Sequence, residues 1–364
     1  LTRKRILILS EPFGMGHTMA ANAIKEHINE HEPDYQVEIL ELTRYLKPTL
    51  SQWMCGAYLL AIQHSPHIWR YFYHKSRYQR VWPQLWTIVH HLIYAEVASI
   101  LRRYQPDCII CTHPFPSAIV SRLKQTEETT ALLCTVVTDY GVHATWLSPQ
   151  VDIYFLPSQA IKRQINSLGI EDAKLVVTGI PISAKFLRKH PKDGARRQLG
   201  LLPIPTLLCM GGGLGKGFSD ELIQALSQCL EQVQVLFVVG KNRVLYDRLA
   251  ETIKLKHANF HLYGFVDNID MLMDASDLLI TKPGGITCTE AVAKRLPMLL
   301  LPPLPGQEDD NYSYMIEQGY GVGLSDINSL PVYVYNLSQN SKSQSDDYIP
   351  NLHVEYSLHE LISI

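Results

Sequence analysis

The residues of this chain whose types and spacing suit chemistry gather in a few glycine-bearing loops and at the ends of apolar runs. The loop Gly211-Gly212-Gly213-Leu214-Gly215-Lys216-Gly217 stands between an apolar run, Thr206 to Met210, and a helical pattern marked by Leu222, Leu226 and Leu230. Backbone N–H groups at such a turn, with the helix dipole behind them, attract anions, and phosphate is the natural guest. The loop is not a P-loop, because Met210 stands where its first glycine belongs and Gly217 where Ser or Thr would meet magnesium. Nor is it GxGxxG, since Lys216 holds the third glycine position. The plainer reading is a tight strand-to-helix turn, but so many glycines cost backbone entropy unless something must come close.

A second cradle, Thr281-Lys282-Pro283-Gly284-Gly285-Ile286-Thr287, follows the run DLLI and opens the helical stretch TEAVAKRL. Gly284, Gly285 and Thr287 offer main-chain and hydroxyl donors to a diphosphate, with Lys282 beside them. Glu290 is spaced to accept both hydroxyls of a ribose, a bidentate task suited to a carboxylate. Its alternative role is to favour the positive end of the helix dipole. A third loop carries Gln307, Glu308, Asp309 and Asn311, amide and carboxylate groups that suit a polyhydroxylated ring. Three further groups could move a proton. His17 sits in a glycine-flanked turn at a helix start, while Asp139 and His113 end apolar runs, where α/β folds place chemistry. The plainer readings are that His17 only orients its loop or bonds a diphosphate, and that His113 bonds backbone.

Elements that would position these groups are legible in the same pattern. Residues 5 to 9 form a buried strand, and Ala20, Ile24 and Ile28 repeat at helical spacing after it. The runs VEILEL, DCIICTH, LLCTVVTD, DIYFLPS, KLVVTG, VQVLFVVG, FHLYGFV, DLLITKPG and PMLLLPP alternate with helical stretches, which argues for parallel sheets with crossover helices. Pro, Gly and Lys/Arg cluster over residues 179 to 205, so the expected fold is α/β, two doubly wound Rossmann-like domains facing a cleft. Residues 1–185 form the first domain and 195–325 the second. Residues 326–364 read as an irregular tail, with HVEYSLHELISI able to pack back on the body.

Composition narrows the partners. The chain has 364 residues, 46% hydrophobic and 19% charged, enough for a core in each half. A formal net charge of −2 gives no global reason to expect nucleic acid. Seven cysteines, mostly in apolar runs, read as reduced, buried thiols, and Cys108 and Cys111 lack a second CxxC to complete a zinc site. No apolar stretch is long enough to span a bilayer or to serve as a secretory h-region, so the expected location is cytoplasmic.

One segment departs from this balance. From Leu42 to Ala95 there is no Asp or Glu, yet six fixed cations, Arg44, Lys47, Arg70, Lys75, Arg77 and Arg80, are present. Trp53, Trp69, Trp82 and Trp86, four of the five tryptophans, share the segment. Aromatic side chains favour the headgroup boundary, and each basic residue near an anionic surface contributes about 1 kcal/mol. The expectation is a monotopic docking surface that also admits a lipid. Its alternative is a helical subdomain with an aromatic core and a solvated basic face.

The motifs FGMGHTMAANAI, TDYGVHATW, GGGLGKG, YGFVDNIDMLMDASDLLITKPGGITCTEA and GQEDDN together resemble those of the monogalactosyldiacylglycerol and diglucosyldiacylglycerol synthases, relatives of the lipid II-forming N-acetylglucosaminyltransferase. The similarity runs over roughly residues 4 to 325. It implies a glycosyltransferase-B fold, a UDP-hexose donor on the second domain, a diacylglycerol-type acceptor, and inverting transfer with no cofactor or metal. It also implies that Gly264, Phe265 and Val266 flank uracil. Gly213, Gly284 and Gly285 would meet the diphosphate, Glu290 the ribose, and Gln307, Glu308 and Asn311 the sugar. A lipid hydroxyl is a poor nucleophile, so His17, Asp139 or His113 would act as its base. The setting implied is the inner face of the cell membrane. Other readings are a transferase with a polyprenyl acceptor, a UDP-sugar epimerase, which the acid-free segment disfavours, and a non-catalytic UDP-sugar sensor.

Overall fold

Each apolar run singled out above becomes a parallel strand, and the strands assemble into two six-stranded sheets. The computed structural model describes residues 3–12, 14–49, 56, 83–212, 218–251, 257–304 and 306–340, and in the helices that include them the side chains of 83–92 and 337–340 are outside the description. The chain divides into two units. The first runs to Ala184 and takes in Leu304–Asp310; the second runs from Lys185 to Pro303 and resumes at Asn311.

In the first unit the order along the chain is β1 (Arg5–Ser10), α1 (Met15–His31), β2 (Gln36–Glu41), α2 (Leu42–Leu46), α3 (Pro83–Tyr104), β3 (Cys108–Cys111), α4 (Pro114–Gln125), β4 (Leu132–Val136), β5 (Ile153–Leu156), α5 (Gln159–Ser167) and β6 (Leu175–Val177). Because successive strand residues face opposite sides, β1 divides its apolar residues between two cores. Ile6 and Ile8 join Ala21, Ile24 and Ile28 of α1 on one side. Leu7 and Leu9 meet Ile93, Val97, Ile119 and Leu123 of α3 and α4 on the other. The same alternation sends Cys108 and Cys111 to opposite cores, so CxxC spacing on a strand separates the thiols, as expected for structural cysteines.

The second unit continues with α6 (Lys192–Gln198), β7 (Thr206–Met210), α7 (Asp220–Gln228), β8 (Gln234–Val238), α8 (Arg243–Glu251), β9 (Phe260–Tyr263), α9 (Ile269–Ala275), β10 (Leu278–Thr281), α10 (Gly285–Lys294), β11 (Met298–Leu300), α11 (Gln307–Glu317, whose first turn is counted with the first unit), β12 (Gly321–Gly323) and α12 (Leu330–Asn340). The stretch expected to link the domains is pinned to this unit from Lys185 onward. Arg196 pairs with Asp277 at 2.5 Å, Lys192 reaches the same carboxylate at 2.6 Å, and the buried Lys294 bonds Asp274 at 2.6 Å.

Two expectations need correction. The tail from 326 is not irregular throughout: residues 330–340 form α12. Leu330 and Val334, one turn apart, are fully buried in a core they share with Leu222 and Leu226 of α7, and that tertiary burial outweighs a Ser-, Asn- and Pro-rich composition. Pro331 sits in the first turn, where its missing N–H costs nothing. The second correction is β12, which the sequence pattern misses because it has three residues, two of them glycine, on an edge.

The sheet orders decide where chemistry can sit. The first sheet runs β2-β1-β3-β4-β5-β6, so the order in which its parallel strands are added reverses between β1 and β3. The second runs β12-β11-β10-β7-β8-β9 and reverses between β7 and β10. Open α/β sheets bind ligands beyond the carboxyl ends of the strands at that reversal, where adjacent loops part and leave a crevice.

Candidate active site

The loops after β1 and β3 flank the first reversal, and they carry His17 and His113. Gly14 precedes α1 with φ of +90°, a conformation an L side chain rarely adopts, and this lets the turn deliver His17 into the first helical turn. His17 is buried. Its Nδ1 lies 2.8 Å from the carbonyl oxygen of Thr112 and 2.9 Å from Thr138 Oγ1. A carbonyl can only accept, so Nδ1 carries the proton and Nε2 keeps a lone pair. Burial drives the His17 pKa down to about 4, so the ring is neutral near pH 7.

His113 packs edge-on against His17 with ring centroids 4.7 Å apart. Its Nδ1 accepts the N–H of Phe115 at 3.1 Å and caps α4, so its own proton is on Nε2. Burial, and then the neighbouring His17 and His143, holds it well below the usual histidine range. Asp139 follows β4 and is buried, while His17 Nδ1 is held by Thr112 and Thr138. His143 and Trp146, both within the motif TDYGVHATW, complete the cluster and were assigned no role from sequence. Trp146 lies with its ring centroid 6.3 Å from that of His17, and its buried Nε1 has no partner among the described residues. His143 Nδ1 bonds Thr145 Oγ1. The signal for His143 was its motif; nothing in spacing announced that it would reach His113.

The second reversal is flanked by the two glycine loops. Gly212 has φ of +66°, while Gly213 and the rest of that loop to 217 lie outside the described residues. After β10, Gly284 stands at the N-cap of α10, and no cap side chain accepts from the first N–H groups of the helix. Thr287 and Lys282 are half-buried beside it. Glu290, two turns along α10, is buried, and burial raises its pKa to about 8, with Lys185 opposing the rise and Asp270 adding to it. Lys185, which sequence reasoning did not single out, bonds the carbonyl of Asp267 and lies 4.0 Å from Asp270. Gly264 and Val266 lie in the loop after β9; Phe265 between them is exposed, with Lys241 Nζ 5.3 Å from its ring centroid.

Gln307 and Glu308 open α11 and are half-buried, and Asn311 one turn on is buried. Glu308 accepts the N–H of Leu304 at 2.8 Å, so part of its capacity is spent shaping its own loop. Trp53, Trp69, Arg70, Lys75, Arg77, Arg80 and Trp82 lie outside the described residues, and Trp86 is on α3 with its side chain outside them. Among the described residues, no helix is long and apolar enough to cross a membrane.

Family models match the two halves of the chain separately. The family model for monogalactosyldiacylglycerol (MGDG) synthase matches residues 17–182, and that for the glycosyltransferase family 28 C-terminal domain matches 206–352. A processive diacylglycerol beta-glucosyltransferase of Staphylococcus saprophyticus is 32% identical over 325 residues, which cover 87% of this chain and 80% of that protein. The chain belongs to the family of MGDG synthases and processive diacylglycerol glucosyltransferases. The chloroplastic MGDG synthase of Spinacia oleracea is also 32% identical, over 331 residues, and this chain spans 63% of its length. Among solved structures, Anabaena HepE in complex with UDP has a TM-score of 0.57 at 15% identity, with 99% of this chain and 97% of that one covered. That likeness, with the two parallel sheets, gives the family member a glycosyltransferase-B fold. Both reversals of sheet order thus carry the loops that the motif resemblance picked out.

Proposed function

We propose that the chain transfers a hexose from a UDP-sugar to diacylglycerol or a glycosyl-diacylglycerol with inversion, producing membrane glycolipid. The observation that carries this reading is the fixed tautomer of His17, a buried imidazole whose Nδ1–H is held by a backbone carbonyl and whose Nε2 is left as a base. Nε2 takes the proton of the acceptor hydroxyl as that oxygen attacks C1 of the hexose. The bond from C1 to the diphosphate oxygen breaks on the opposite side, and its electrons leave with UDP. Attack from the face opposite the leaving group inverts the anomeric centre.

The donor side of the reading rests on the loops after β9, β10 and β11. The N–H groups at the start of α10, with Gly284, Gly285, Thr287 and Lys282, stabilise the charge that develops on the diphosphate, a task that oriented dipoles perform without a metal. Glu290 accepts the ribose hydroxyls, the loop at Gly264, Phe265 and Val266 flanks uracil, and Gln307, Glu308 and Asn311 hold the hexose. The solved complex of HepE with UDP supports a nucleotide on this fold, and the names of the staphylococcal and spinach relatives support a diacylglycerol acceptor. The basic, aromatic segment 42–95 would dock on the anionic inner face of the cell membrane, where the acceptor resides.

The test is incubation of the purified protein with diacylglycerol liposomes and, separately, UDP-glucose or UDP-galactose, with lipid product read by mass. A monohexosyl lipid establishes the reaction and its donor, and a ladder of hexoses shows processive addition. Tight UDP binding with no lipid product from either donor overturns the diacylglycerol reading and leaves a different acceptor or a sensor.

A further inference from the structure

The turn that carries His17 is braced on both flanks by the same short stretch of chain. On the side before the turn, Glu11 is fully buried after β1, and its carboxylate accepts the Thr43 hydroxyl and, at 3.3 Å, the Thr43 N–H. On the side after the turn, Thr18, the residue next to His17, donates its hydroxyl to Glu41 Oε1 at 2.8 Å. The other oxygen of Glu41 accepts from Arg44 at 3.0 Å. Residues 41 to 44 therefore grip both sides of the turn.

That stretch is also the root of the acid-free segment. Leu42 is fully buried in the core that holds Ile93, Val97 and Leu101 of α3, and Lys47 bridges to Glu96 of α3 at 2.7 Å. The two ends between which the basic, aromatic residues run are thus fixed to each other and to the His17 turn. A fully buried carboxylate is costly to the fold, and burial raises the Glu11 pKa to about 8. Glu11 touches none of the groups of the histidine cluster in a described bond, so its cost is met by holding Thr43.

We infer that Glu11, Thr18, Glu41 and Thr43 are positioning residues that set His17 relative to the root of the lipid-docking segment, so that an acceptor delivered from the membrane meets Nε2. The inference rests on the proposed transferase reading. Losing one hydroxyl from the brace should mainly lower efficiency toward the lipid, because the glycine loops proposed to hold the donor diphosphate belong to the other unit.

The experiment is steady-state kinetics of the full chain with UDP-hexose and liposomes of diacylglycerol in phosphatidylglycerol, comparing wild type with Thr18→Val, Thr43→Val and the rescue variants Thr18→Ser and Thr43→Ser. The valine variants should lose about threefold to tenfold in kcat/KM for diacylglycerol with the KM for UDP-hexose unchanged, as expected for one hydrogen bond, and the serine variants should recover. Unchanged lipid kinetics in a folded Thr18→Val protein, or an equal rise in donor KM, overturns the inference. If Thr43→Val does not fold, the half-buried Thr18→Val still decides. Absence of glycolipid from the wild type is a different failure, that of the transferase reading itself.

Discussion

The two sheets place their loops by the same rule and equip them in different ways. At the first reversal the reactive groups are side chains: His17, His113, His143 and Trp146 crowd together, and burial keeps His17 and His113 neutral near pH 7. At the second the groups are mostly main-chain N–H at a helix start, with one buried carboxylate, Glu290, deeper along α10. The difference fits the role proposed for each. Moving a proton needs an atom with a tunable pKa, which only a side chain offers. Holding a diphosphate needs several fixed partial positive charges, which glycine-lined backbone supplies without crowding.

The largest effect should come from the side-chain pole. His17→Ala should lower kcat by about 100- to 10,000-fold while the affinity for UDP stays within a factor of about two, measured by turnover and by calorimetry. A loss of UDP affinity as large as the loss of turnover would place His17 on the diphosphate instead. Next, Glu290→Ala should raise the donor KM by about tenfold to a hundredfold with a smaller change in acceptor KM, since a charged hydrogen bond to the ribose would be gone. An unchanged donor KM would reduce Glu290 to a helix-dipole role.

A smaller effect, about fivefold per residue in liposome affinity, is expected for Arg70→Gln, Lys75→Gln, Arg77→Gln or Arg80→Gln, with loss of the difference in high salt or on neutral lipid. Liposome co-sedimentation reads it directly; equal binding to neutral and anionic vesicles would make the segment an ordinary solvated face.

The subtlest effect is in pH. Glu290 and Glu11 are raised to about 8 against 4.5 in the unfolded chain, so the folded state holds protons that the unfolded state has released. Their contribution to stability is complete below about pH 4.5 and is lost as pH rises through about 8. His17 runs the other way: with its pKa lowered from 6.5 to about 4, its contribution is present above 6.5 and lost as pH falls through about 4. If ribose bonds the Glu290 carboxylate, UDP affinity should rise between pH 6 and 9 with proton release, and Glu290→Gln should flatten that slope. Calorimetry in buffers of differing ionisation enthalpy would show it.

The sequence was most legible where burial imposes a period. Ile6 and Ile8 against Leu7 and Leu9, or Leu222 against Leu226, announce strand and helix because each element must hide one face or both. It was least legible where a group's role depends on a partner far along the chain. Thr112 and Thr138 hold Nδ1 of His17 because β1, β3 and β4 bring their ends together, and neither threonine carries a signal for that in the sequence. His143 and Lys185 were missed for the same reason, and Glu11, a carboxylate after an apolar run, carried the same signal as Asp139 without being weighed. The tail at 330–340 misled because composition describes exposure, whereas Leu330 and Val334 are buried.

What the sequence determined by itself is the set of parts: alternating apolar runs that must become parallel strands, glycine loops that can admit an anion, and a segment without acids. Those follow from local periodicity, backbone freedom and charge. Tertiary structure alone decided which loops flank the reversals of strand order, which nitrogen of His17 bears the proton, and that Glu11 and Thr18 brace its turn from residues 41 to 44. Strand order and long-range hydrogen bonds join residues tens of positions apart, and no local pattern in the chain encodes those distances.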